Sequence, residues 1–351
     1  MMTTINSCRL LGSLAAVIAG FGFSLPANAV SSCTTPDASV TITTCFFDLT
    51  AAPSTTQSPT SAVLNGGIFR VPAIDSELGQ GFIVGTGVFQ PFLRIQEQGN
   101  GSADGIESGF NTDGRAGVGQ AAKELDNHDK GGTNWNHSIK LSDIPTITVC
   151  DGGGSTGSNC HQYYEFLLDI NEQGNDTNAG LSLDEFKLFV AGVGDITGSS
   201  AKGSCAPDST NGGSFALCGA TEVYDMDQTP GGDASLLLDY RNFSGSGNGL
   251  DLQTLIPVEK FSGVASNSYV YLYSKFGATD QKCKHGSGAD YPCQTPGGPL
   301  SSAAGKLDYS ADAGFEEWSI RKKIPLPATA LMIGLGLVMM GLTQRRRPQM
   351  V

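Results

Sequence analysis

Along most of its middle the chain alternates apolar and polar positions with a period of two, the spacing of a strand with one buried face. "SVTITTCFFDLTA" (39–51) begins with β-branched residues in alternation, and "GIFRVPAI" (67–74) and "GFIVGTGVFQPFLRIQ" (81–96) follow. Further on come "HSIKLSDIPTITV" (137–149), "HQYYEFLLDI" (161–170) and "LSLDEFKLFVAGV" (181–193). The last set is "TEVYDMD" (221–227), "ASLLLDYRNF" (234–243), "NSYVYLYSKF" (267–276) and "FEEWSI" (315–320). Turn-forming clusters such as "GNGSADG", "DGGGSTGSN", "GSGNG" and "TPGGP" divide them. Only "GQAAKELDNHDK" (119–130) has helical spacing, and for two or three turns at most. Many short strands with Gly-rich turns predict an all-β fold, a β-sandwich or jelly roll. With no βαβ alternation, the nucleotide-binding α/β folds are excluded.

The two ends have a different character. Arg9 precedes an apolar stretch from Leu10 to Phe23, and Ala27-Asn28-Ala29 forms an A-x-A site, so residues 1–29 are expected to be a signal peptide. The C-terminal stretch from Ala328 to Thr343 is apolar or small throughout and is followed by Arg345, Arg346 and Arg347. As a helix it would be about 24 Å long, short for a bilayer core of roughly 30 Å but extended by snorkelling arginines. An ectodomain over residues 30–320 lies between them. It holds all 34 acidic residues and 14 basic ones, a net charge of −20. Such a charge argues against nucleic acid or anionic membrane surfaces as partners and favours solubility or divalent cations.

Cysteine usage agrees with export. Apart from Cys8, the cysteines fall in four close pairs: Cys33/Cys45, Cys150/Cys160, Cys205/Cys218 and Cys283/Cys293. Each pair brackets a polar, turn-rich segment, and no C-x-x-C spacing suggests zinc, so four local disulfides are expected.

Two acidic loops carry the strongest chemical pattern. "LLDINEQGNDTNAGLSLDEF" and "VYDMDQTPGGDASLLLDYRNF" share an outline: an Asp-x-Asn/Asp pair ends a strand and a leucine-rich strand returns. They read as two similar hairpins. Asp169 and Asn171 share one side of a strand end, as do Asp225 and Asp227. Asp176 and Asp184, or Asp233 and Asp239, would complete a ring of hard oxygens, and Ca2+ is the cation that suits one. The simpler alternative is that Asp, Asn and Gly make turns. An EF-hand is excluded, because Glu185 stands at loop position 17 where that motif needs its twelfth, and "YYEFLLDI" forms a strand.

Other patterns have bland readings beside the sharp ones. Tyr269, Tyr271 and Tyr273 share a strand face, suited either to stacking on sugar rings or to cover by loops. His128, His137, His161 and His285 show no zinc spacing. Glu165, Glu172, Glu185 and the Glu316-Glu317 doublet are the glutamates that a glycan hydrolase with a carboxylate pair could use, but no spacing singles out an acid and a nucleophile.

The tail resembles the PEP-CTERM sorting signals of Gram-negative bacteria, in the variant built on V-P-L-P-A. Ile324 stands for Val, Pro325-Leu326-Pro327 forms the Pro-x-Pro motif, and the apolar helix and arginine cluster follow. The resemblance covers about 28 residues of the tail (321–351). It implies an envelope or extracellular protein processed by an exosortase-like membrane protease, and implies nothing about the ectodomain. "LPATA" (326–330) comes within a residue of the sortase signal LPXTG, but Ala330 stands in place of Gly and no spacer precedes the apolar helix.

The sequence therefore predicts a disulfide-stapled surface or matrix protein of structural or adhesive role, not an enzyme, with extracellular polysaccharide as a partner. The alternative is a secreted glycan hydrolase. Peptide mapping without reductant is expected to recover Cys33–Cys45, Cys150–Cys160, Cys205–Cys218 and Cys283–Cys293. An abundant long-range bridge, such as Cys45 to Cys150, would refute the local pairing.

Overall fold

The computed structural model describes residues 31–34, 44–50, 61–71, 89–95, 105–114, 136–150, 157–174, 178–196, 215–227, 233–242, 251–278, 294–295, 298–299, 307–311 and 314–321. Residues 119–130, expected to be helical, residues 1–29, expected to be a signal peptide, and residues 322–351 lie outside them.

Among the described residues seventeen strands run in chain order: β1 (Ser31–Thr34), β2 (Thr44–Asp48), β3 (Ser61–Leu64), β4 (Gly67–Arg70), β5 (Phe89–Ile95) and β6 (Glu107–Phe110). Then come β7 (Ile139–Lys140), β8 (Thr146–Val149), β9 (His161–Asp169), β10 (Gly180–Ala191), β11 (Thr221–Asp225) and β12 (Ala234–Asp239). The last are β13 (Leu252–Pro257), β14 (Tyr269–Phe276), β15 (Gln294–Thr295), β16 (Gly298–Pro299) and β17 (Glu316–Arg321). Among the described residues the only helical turns are short 3-10 segments.

The fold is all-β, as the alternation predicts. One sheet has the order β1-β2-β12-β10-β14-β6, with β11 also beside β10 and β7 beside β14. The other has the order β3-β4-β13-β9-β17-β5, with β8 beside β9. β15 and β16 form a separate pair. Neighbours are antiparallel except β2 and β12, which run parallel.

The main core lies where the two sheets meet. Phe186 of β10 packs against Phe69 of β4, Phe166 of β9 and Trp318 of β17, with ring centroids 5.6, 6.0 and 5.1 Å away. Tyr224 of β11 closes the cluster from its own sheet at 5.9 Å. The indole N–H of Trp318 donates to the Ser274 hydroxyl of β14 at 2.9 Å, a polar tie across the apolar layer.

The long strand β10 keeps its apolar face inward only by changing parity. Leu181 and Leu183 join the core, and so do Phe186, Leu188 and Val190. The register against β14 shifts between Leu183 and Glu185, so Asp184 is the extra residue of a bulge. Its carboxylate accepts from the Ser182 and Ser235 hydroxyls at 2.8 and 2.9 Å and from the Ala278 amide at 2.7 Å.

The outer face of β10 is covered as well. Phe189, Tyr271 and Tyr273 pack with Phe110, Phe215, Leu217 and Ile196 there. Further along, Leu237 packs with Phe46, Ala179, Leu307 and Tyr309.

One expectation is corrected, and the strands β3 and β13 add to those read from the sequence. The two acidic loops do not make hairpins: β9 and β10 belong to different sheets, and β11 and β12 pair with different parts of β10. β13 is central to its sheet and fully buried, although "LQTLIP" carries no alternation. β3 and β4 form a hairpin over Asn65-Gly66, where both residues have left-handed φ (46° and 83°), the Asn-Gly signature of a type I′ turn.

One of the four expected disulfides is seen directly. Cys150 and Cys160 are bonded, and Cys33 lies opposite Cys45 across the β1–β2 pair. Cys218 is in a disulfide; Cys205, Cys283 and Cys293 lie outside the described residues.

Phe186→Ala is expected to cost about 3–5 kcal/mol, the range for truncating a buried phenylalanine. Val63→Ala, at a side chain 44% exposed, should stay within about 0.5 kcal/mol. Urea unfolding midpoints would compare the two.

Candidate functional site

The acidic residues picked out by sequence separate into three groups. Asp184 and Asp239 are held by donors of the protein itself. Asp239 ends β12 and accepts from the Arg241 amide at 3.0 Å and from its guanidinium at 2.9 and 2.7 Å. With the bulge contacts of Asp184 already described, both carboxylates serve local structure.

The second group lies on the outer side of β10, where β11 runs alongside. Lys187 and Asp225 face each other across the two strands, and Nζ lies 2.9 Å from Asp225 Oδ2. Oδ1 of Asp225 accepts the Asp227 amide at 2.9 Å, an Asx-type turn that starts the second acidic loop. Asp227 in turn caps the loop's return through the Ala234 amide, also at 2.9 Å. Glu185, two residues before Lys187, places Oε2 3.9 Å from Nζ, and Lys275 lies 3.8 Å from its other oxygen. Burial raises Glu185 to about 7 against the pull of both lysines. Burial, helped by Asp225 and Asp233, raises Asp227 to about 8. Lys187 is raised as well: its own burial opposes the charge, but Asp225 more than compensates.

The third group stands at one end of the two layers. Glu316 of β17 is completely buried, and the Glu107 carboxyl of β6, on the opposite sheet, interacts with it most strongly among the acidic groups. Glu172, just after β9, is within electrostatic reach. The Glu107 side chain also hydrogen-bonds the Glu316 carboxyl, an interaction that favours the protonated acid. Burial first, and Glu107 second, therefore hold Glu316 well above the usual carboxylate range. Beside it Asp169 hydrogen-bonds Asp251, whose Oδ2 also accepts the Ile170 amide at 2.7 Å. Burial and Glu317 raise Asp169 to about 6. Asn171 is half-buried next to this group, and Asp176 lies outside the described residues.

The predicted Ca2+ ligands are two sets of four, Asp169, Asn171, Asp176 and Asp184 in one loop and Asp225, Asp227, Asp233 and Asp239 in the other, and Asp176 lies outside the described residues. Asp169 and Asn171 belong to the far end, Asp225, Asp227 and Asp233 to the Lys187 side, and Asp184 and Asp239 to local turns. Among the described residues no group of three or more acidic, His or Cys side chains is set to hold a metal ion.

The remaining patterns take structural places. Tyr269, Tyr271 and Tyr273 do share a face, but Phe215 stacks on Tyr273 with centroids 3.9 Å apart. The Tyr271 hydroxyl donates to the Val193 carbonyl at 2.7 Å, so that face is closed by protein. His137 bonds the Ser138 and Pro91 carbonyls, and His161 is exposed. Glu165 is buried and clamped by Arg321 through two bonds of 2.8 Å, with Gln253 at 2.5 Å.

Sequence reasoning missed Glu107 and Asp251, which complete the two acid pairs. "ESGF" shows no alternation, and Asp251 opens the strand β13 that was not recognised. No protein-family model matches the chain, and neither a curated protein nor a solved structure does.

A carboxyl whose pKa is raised by folding adds stability that is complete below its ordinary pKa and fades as pH rises through the folded value. Glutamine imitates protonated Glu316 but cannot ionise. Glu316→Gln should therefore match wild type near pH 4 and gain on it steadily as pH rises from 4.5, in thermal melts at fixed salt. A difference that does not change with pH would refute the raised pKa.

Proposed function

We propose that the chain is an exported envelope or extracellular-matrix protein with a structural or adhesive role. It has a signal peptide (1–29), a β-sandwich ectodomain of jelly-roll kind (30–320) and a sorting tail (321–351) cut by an exosortase-like membrane protease. The observation that carries the export is the Cys150–Cys160 disulfide, since such bonds persist in oxidising compartments. The Pro-x-Pro motif, apolar stretch and arginine cluster support the sorting step. Extracellular polysaccharide is the partner class that suits a matrix protein with a net-acidic ectodomain.

A hydrolytic role draws less support. A glycosidase needs two carboxyl groups open to the sugar. Glu165 is clamped by Arg321, while Glu172 and Glu316 are buried.

Intact-mass measurement on protein from the native host tests the sorting. Mature protein should lack Arg345 to Arg347, with cleavage near Pro327. Val351 still attached in both envelope and medium fractions would show the tail to be an ordinary membrane anchor.

A further inference from the structure

The Lys187–Asp225 pair is arranged for more than a salt bridge. Its two members face each other on neighbouring strands, with side chains 1% and 8% exposed and Nζ 2.9 Å from Oδ2. On its other side Lys187 neighbours Tyr273 of β14, which is covered by the Phe215 ring. The surroundings are therefore apolar on one flank and acidic on the other. Glu185 Oε2 is buried, lies 3.9 Å from Nζ and makes no hydrogen bond. The Asp227 N–H points at Asp225 Oδ1 from 2.9 Å.

We propose that Lys187 and Asp225 condense spontaneously into an intramolecular isopeptide bond, with Glu185 as the proton relay. The first step is transfer of the proton within the 2.9 Å hydrogen bond from Nζ to Asp225 Oδ2, which gives a neutral amine beside a neutral acid. The freed Nζ lone pair attacks Asp225 Cγ and a C–N bond forms. Negative charge that develops on Oδ1 meets the Asp227 N–H, a donor placed where an oxyanion hole needs one. Glu185 takes the second proton from Nζ and delivers it to Oδ2. The Cγ–Oδ2 bond then breaks and water leaves. One ammonium and one carboxylate become one amide and one water, with no oxidant or co-reactant. The raised pKa of Glu185, about 7, suits a group that must both accept and give a proton near neutrality.

Such a bond would tie β11 to β10 covalently. β11 pairs with β10 from Thr221 to Asp225. The cross-link would span 38 residues of chain and enclose Cys205 and Cys218.

Peptide mapping of the full-length folded chain after reduction and alkylation decides it. Trypsin is expected to yield a branched species joining residues 141–202 to residues 203–241, lighter by one water and uncut after Lys187. Recovery of peptide 141–187 with an ordinary C-terminal lysine as the dominant product from wild type would overturn the proposal, with no variant needed. Asp225→Ala should restore cleavage after Lys187. Glu185→Gln should slow bond formation at least tenfold in a refolding time course, while circular dichroism shows the same β content. An unchanged rate in that variant would remove Glu185 from the reaction.

Discussion

β10 is twelve residues long, and only its last residue, Ala191, escapes full burial, so both of its faces must be covered. The inner face is met by the second sheet, with Phe186 at the meeting point of Phe69, Phe166 and Trp318. The outer face is covered by other parts of the chain. Segments around Phe215 and Leu307 fold over it. Burying an aromatic or leucine side chain contributes roughly 1.5–3 kcal/mol. A strand with such residues on both faces therefore draws chain from both sides, and the order of the first sheet follows from that demand.

The same cover takes polar groups out of water. Lys187, Asp184, Asp225 and Asp239 all lie on or beside β10 with little exposure. A buried charge is tolerated when it is paired or hydrogen-bonded. Asp184 meets three donors, Asp239 meets Arg241, and Lys187 meets Asp225. Glu316 is met by other carboxyls, and there the cheapest answer is to keep the proton. The electrostatics are thus a consequence of how thoroughly the layers close.

Much of this was legible in the sequence, and the parts that were not fail for identifiable reasons. Strand and turn chemistry announced the all-β class, the Tyr269–Tyr273 face and the local disulfide at Cys150–Cys160. The bulge was also visible: two successive polar residues, Asp184-Glu185, interrupt the alternation of β10 at the point where its parity changes. Asn65-Gly66 was a turn signal that could have located β3. β13 could not be found by alternation, because a strand buried on both faces has no polar side to alternate with. The acidic loops misled because matching outlines say nothing about which sheet each strand joins. Asp169 and Asp225 look equivalent in sequence, yet β9 and β11 belong to different layers. Carboxyl pairs such as Glu107 with Glu316 are invisible for the same reason: the partners are 209 residues apart and meet only across the layers.

The closure of the layers also sets where the strongest polar contacts lie. Among the described residues they lie beneath protein. Glu165 is turned toward Arg321 and Gln253, Lys187 toward Asp225, and the tyrosine row toward Phe215. Each arrangement ties one strand to its neighbour or one layer to the other. Cys150 and Cys160 do the same for the loop between β8 and β9. A side chain directed inward, onto a neighbouring strand, adds to resistance to unfolding and to proteases. Under the proposed export that resistance would matter, because outside the cell neither chaperones nor resynthesis can replace what is lost.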